Sequence, residues 1–159
     1  MRKVGVKPPR EFRARLNGFR QSATKARLVI DLIRGRNVVE ALNILKFTPN
    51  RAARPIEETI RSAMANAVHT SNRDNLGLDE STLVITEARV DQGTAQSRFR
   101  PRSRGMAAPY TRRHCHYEIR LTRPEDAAAL HLYRQIASQK KRVDRIKELH
   151  GLETTAATA

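Results

Sequence analysis

"SRFRPRSRGMAAPYTRRHCH", Ser97 to His116, carries six arginines (Arg98, Arg100, Arg102, Arg104, Arg112 and Arg113) and no acidic residue. On its N-terminal side stands "TLVITEARVDQ", Thr82 to Gln92, and on its C-terminal side "RRHCHYEIRLT", Arg112 to Thr122. Both flanks read as strands. In the second, Cys115, Tyr117, Ile119 and Leu121 alternate with His114, His116, Glu118 and Arg120, so one side is buried and the other wet. Strands this far apart are not joined by a tight turn. The intervening residues are then a long functional loop, a disordered segment, or the outward continuation of both strands as a two-stranded arm. The arm is preferred, because strand pattern on both sides ties both ends of the segment to the sheet.

The arginines support that reading. Arg98, Arg100, Arg102 and Arg104 are spaced by two, which on extended backbone puts all four on one side, about 7 Å apart. At that distance each neighbouring pair repels by about 0.6 kcal/mol even in a water-like dielectric. Facing a row of phosphates the sign reverses, and each contact releases counterions. The planar guanidinium also grips phosphate with two hydrogen bonds and stacks on bases. Pro101 has no N–H for a ladder and fits an edge strand or a bend, while Gly93 and Gly105 mark bends or close approaches.

Outward from the arm, residues 1–9 read as a flexible basic lead-in ending in Pro8-Pro9. From Arg10 to Phe19 the chain alternates, with Phe12, Ala14 and Leu16 on one side and Glu11, Arg13 and Arg15 on the other, as a half-buried strand requires. Ser22 stands at an N-cap position before a helix whose Leu28, Leu32, Val29 and Ile33 recur at helical spacing, and Gly35 is its stop. Val38, Ala41, Leu42 and Leu45 form the stripe of a short second helix. Thr48-Pro49 reads as the opening of a third, with Ile56, Ile60, Ala63, Met64 and Ala67 inward; Pro55 means that this helix either starts near Arg54 or kinks. Pro124 opens a last helix, residues 124–150, with Leu132, Ile136, Val143 and Ile146 on one side; residues 151–159 read as a disordered tail.

The chain of 159 residues has 31 basic and 16 acidic residues and a formal charge of +15, which favours anionic partners, nucleic acid first. Residues 1–36 alone hold eleven Lys and Arg against Glu11 and Asp31, and Arg13 and Arg15 join Arg120 if the first strand pairs beside the last. A basic body plus a basic arm suits folded RNA better than a straight duplex. No apolar run has the ~20 residues that span a bilayer, and the basic start lacks the apolar stretch of a secretory signal. Neither a membrane nor a homo-oligomer is expected. Cys115 is a single buried thiol, His114 and His116 lack an acidic partner for a metal, and no glycine-rich phosphate loop occurs. No catalytic residue, metal or cofactor is expected. The rival reading is an architectural DNA-binding protein with basic β-arms, with Phe99 or Pro101 as an apolar wedge.

"KARLVIDLIRGRNVVEALNILKFTP" (Lys25–Pro49), "SAMANAVH" (Ser62–His69), "VDQG" (Val90–Gly93) and "RPRSRG" (Arg100–Gly105) together resemble the large ribosomal subunit protein number twenty-two family, bacterial type, over about Arg10 to Thr122. Gln92, Thr94 and Met106 depart from its usual pattern. The resemblance implies an α+β fold: three helices packed on a three-stranded antiparallel sheet, two of whose strands extend into a long hairpin. Here that is a domain over 10–123 with its hairpin at about 90–113, and the C-terminal helix is an addition. It further implies a structural protein of the cytoplasmic ribosome that binds large-subunit ribosomal RNA, touches neighbouring ribosomal proteins and supports subunit assembly. The body would sit near the exit of the nascent-peptide tunnel and the hairpin would line the tunnel wall. Residues assigned to RNA on all these grounds are Arg13, Arg15, Arg20, Lys25, Arg98, Arg100, Arg102, Arg104, Arg112, Arg113 and Arg120. The hairpin tip, nearest the nascent peptide, is expected at Gln96, Ser97, Arg98, Phe99, Arg100 and Pro101.

Overall fold

The computed structural model describes residues 10–149, so the expectations for residues 1–9 and 151–159 lie outside the described part. Strand β1 (Phe12–Phe19) is followed by helices α1 (Ala23–Ile33), α2 (Val38–Phe47) and α3 (Ala53–Asp74). Strands β2 (Val84–Pro101) and β3 (Ala107–Thr122) come next, and then helix α4 (Pro124–Leu149). The sheet is antiparallel with order β1-β3-β2. This is the expected α+β architecture. Helix α4 belongs to a unit separate from Arg10–Pro124; it is opened by Pro124, with Glu125 and Asp126 in its first turn. Leu132 and Ile136 are exposed on it, and the side chains of Val143 and Ile146 lie outside the described part.

Helices α1 and α3 cover one side of the sheet. Phe12, Ala14, Ile85, Ala88, Val90, Cys115, Tyr117, Ile119 and Leu121 bury against Ile30, Ile33, Ile56 and Ile60 in one aliphatic core. On α1 the buried stripe is Ala23, Ala26, Val29, Ile30 and Ile33, so the expected Leu28 and Leu32 face outward. Small Ala23 and Ala26 let the helix approach the sheet on their own side, which turns the two leucines away. Ser22 holds the N-cap position through its carbonyl, which accepts the Ala26 N–H at 3.2 Å, without a side-chain hydrogen bond. Gly35 takes a φ of +77° just past the helix, and its N–H bonds to the Ile85 carbonyl at 3.0 Å.

The third helix begins later than Thr48-Pro49. Thr48 belongs to the end of α2, where its hydroxyl donates to the Ile44 carbonyl at 2.8 Å. With Ala52 at the N-cap, Pro55 is the third helical residue; the Ala53 N–H bonds back to the Asn50 carbonyl at 2.9 Å, and the helix's own ladder starts with the Ile56 N–H on the Ala52 carbonyl at 3.3 Å. The missing N–H of Pro55 is therefore one that has no partner within the helix in any case.

Both hairpin strands continue outward, which decides for the arm. Pairing runs from Val84↔Thr122 to Pro101↔Ala107. Near its root β2 has a bulge, where Gly93 and Thr94 stand opposite His114 between the pairs Gln92↔Cys115 and Ala95↔Arg113. Pro101 is the last residue of an edge strand, where its lack of an N–H costs no ladder bond.

Candidate nucleic-acid interface

The side of the body sheet opposite α1 and α3 carries its charged residues. Register brings Arg13 opposite Arg120, Arg15 opposite Glu118, and Arg89 opposite Glu118 from the other edge. The expected meeting of Arg13, Arg15 and Arg120 therefore occurs, but carboxylates meet there too. Arg120 contacts Glu118 at 2.7 Å, Glu11 at 3.0 Å and Glu87 at 3.5 Å. Arg13 reaches Glu118 at 3.2 Å, and Arg89 reaches Glu87 at 2.7 Å. Burial pushes the Glu118 carboxyl up, but the Arg120 hydrogen bond and the charges of Arg120, Arg13 and Arg89 outweigh it and hold it below the ordinary carboxylate range. Arg120, half-buried, is a structural cation at the centre of this network, and its guanidinium is already engaged.

The arm differs in kind. Opposed residues share a face, so Gln96/Arg112, Arg98/Tyr110 and Arg100/Ala108 line one side. Ala95/Arg113, Ser97/Thr111, Phe99/Pro109 and Pro101/Ala107 line the other. On β3, which has no bulge here, Arg112 and Tyr110 continue the side of Glu118 and Arg120. The arm's basic face thus extends the open side of the body sheet. Ala108, Tyr110 and Arg112 are half-buried beneath the long side chains of that face, and the Arg100 guanidinium lies 5.1 Å from the Tyr110 ring centre. Beyond Arg113 the second face is uncharged, and Phe99 is exposed on it.

The four-tooth comb is therefore corrected. Arg98 and Arg100 share a face with Arg112, while Arg102 follows the strand end and Arg104 sits in a short 3-10 turn, Ser103–Gly105, with a φ of +58°. That turn, closed by the Arg102 N–H on the Met106 carbonyl at 2.7 Å, is the apex of the arm. Gln96–Pro101 are still paired strand leading up to it, because the ladder persists to Pro101↔Ala107. Among the described residues none of Arg98, Arg100, Arg102, Arg104, Arg112 and Arg113 makes an ion pair. Arg20 and Lys25 are exposed at the end of β1 and the start of α1, away from this face in sequence and in element.

Other polar groups serve the fold. The His116 Nδ1 accepts the Gly18 N–H at 3.0 Å and His114 Nδ1 lies 2.9 Å from the Thr94 carbonyl, so both histidines fasten the root of the arm to backbone. Arg27 donates to the Val90 carbonyl at 3.2 and 3.3 Å, and Arg34 to that of Ala88 at 3.1 Å, capping outward carbonyls of the β2 edge. Tyr110 is the residue of the arm's basic face that sequence reading missed. Its signal was present: it falls two before Arg112, in the same period.

A globular α+β body that extends two strands as a basic arm is suited to a polyanionic partner. The chain belongs to the family described as Ribosomal protein L22p/L17e, whose family model matches residues 14–122. The matched span takes in the three-helix body, the whole sheet from Ala14 and the arm, and it ends before α4. The protein is accordingly a large-subunit ribosomal protein, from a structural family and not an enzyme family.

Proposed function

We propose that this protein binds large-subunit ribosomal RNA mainly through the face of its arm formed by Arg98, Arg100, Arg112 and Tyr110. The carrying observation is the contrast between two parts of one surface: Arg13, Arg89 and Arg120 of the body sheet are paired with Glu11, Glu87 and Glu118, while among the described residues the arm's arginines make no ion pair. Such a row repels itself in the free chain and is relieved by an external polyanion. Arg102, Arg104 and Arg113 extend the contact around the apex and root, and Arg15, Arg20 and Lys25 add to it from the body.

The family supports a finer placement: arm along the wall of the nascent-peptide tunnel and body near its exit. In that setting the uncharged face with Ser97, Phe99 and Pro101 is the side turned to the passing peptide, since the opposite face is taken up by phosphate. Binding of the full chain to a large-subunit RNA transcript, titrated across salt, tests the assignment. The variant R98Q/R100Q/R112Q is expected to lower the slope of log K against log salt by about 2 to 3, at roughly 0.7–0.9 per phosphate contact. An unchanged slope would place the RNA contact elsewhere.

A further inference from the structure

Phe47 is 87% exposed, the most exposed of the large apolar side chains among the described residues. It is the last residue of α2, whose inward stripe is Val38, Ala41 and Leu45, so the core makes no use of it. Its backbone is nevertheless fixed: the following Thr48 caps the helix, and the Asn50 Oδ1 accepts the Ala52 N–H at 3.1 Å to close the turn into α3. A flat ring is thus held out on a rigid corner.

Its surroundings say what it meets. From Lys46 to Arg54 the corner carries Lys46, Arg51 and Arg54, all exposed, and no acid. Arg51 is itself drawn over an aromatic ring, its guanidinium 5.8 Å from the centre of Phe19. A protein partner would call for an apolar patch around the ring, as the exposed Leu28 and Leu32 make one turn apart on α1. Around Phe47 the neighbours in sequence are instead Lys46, Thr48, Pro49 and Asn50. One aromatic face amid cations matches an unpaired nucleotide, base on ring and phosphate on cation.

We propose that Phe47 is a stacking platform for an unpaired base of ribosomal RNA, with Lys46 and Arg54 holding the flanking phosphates. This rests on the RNA-binding reading above but concerns a second site, on the helical side of the body. The test uses the full chain and the same large-subunit RNA transcript. Because the ring is exposed, F47A, F47L and F47W should melt with the wild type. F47A and F47L are both expected to bind roughly tenfold more weakly with the salt slope unchanged, while F47W retains affinity. K46Q should instead lower the slope by about 0.7–0.9. If F47L binds as tightly as the wild type, stacking is overturned and Phe47 is an ordinary apolar contact, most simply to a neighbouring protein. If R98Q/R100Q/R112Q weakens binding while F47A does not, this inference alone fails. If the wild type itself shows no salt-dependent binding, the RNA reading fails with it.

Discussion

Glu118 shows how a carboxylate can be indispensable in so basic a chain. It is buried on the strand shared by both neighbours, with Arg13, Arg89 and Arg120 around it. Its folded-state pKa lies below the ordinary value, so the stability it confers is present above the unfolded carboxylate pKa and is lost as pH falls through the lowered folded one. E118Q is expected to destabilise the protein by about 2–3 kcal/mol at neutral pH, because three cations lose their common partner. Melting curves against pH should show wild type and variant converging on acidification; a constant gap would mean that the charge of Glu118 is immaterial. Gly93 is the second decisive residue. A Cβ there would stand 2.9 Å from His116 Nε2 and 3.2 Å from the His114 carbonyl carbon and oxygen. G93A should therefore cost about 1–2 kcal/mol and break the bond from Gly18 to His116, visible as a shift of the His116 ring resonances. Alternation in the sequence placed Glu118 and Arg120 together on the wet side. It also put Glu11 on the wet side of the first strand, but only strand register brings Glu11 and Glu87 onto Arg120, and so Arg120 was assigned to RNA.

At the scale of elements, the arm was legible because two strand patterns flanked an acid-free segment, and a paired ladder is the regular way to carry both outward. Its apex was less so: nothing in the spacing of Arg98 to Arg104 says where pairing stops, and Arg104 departs from the strand because the turn takes it to positive φ. The phase of α1 escaped for a similar reason. Val29 and Leu28 are adjacent, and the choice between their stripes rests on how closely Ala23 and Ala26 let the helix approach the sheet. Pro55 offered a kink or a late start, and the late start holds. It follows that P55A brings no relief: the variant is expected to be about 1 kcal/mol less stable by denaturant unfolding, through added freedom of the unfolded chain. A stabilised P55A would indicate a strained helix.

For the molecule as a whole, the body owns the core and the arm has none. Side chains from Thr94 to Ala107 are all exposed, and an isolated two-stranded ribbon is marginal in water. Amide exchange of the free protein is therefore expected to be fast from Gln96 to Thr111 and slow from Ile85 to Val90, with the arm becoming protected once RNA is bound. Strong protection of the arm in the free protein would show that it needs no partner to be ordered. The most direct measurement is cross-linking in cells, followed by sequencing of the nucleic acid attached to peptides from Ser97 to Arg113. The expected result is large-subunit ribosomal RNA at a few discrete positions. Scattered DNA, or RNA without fixed positions, would contradict the assignment of the arm's basic face to one ribosomal site.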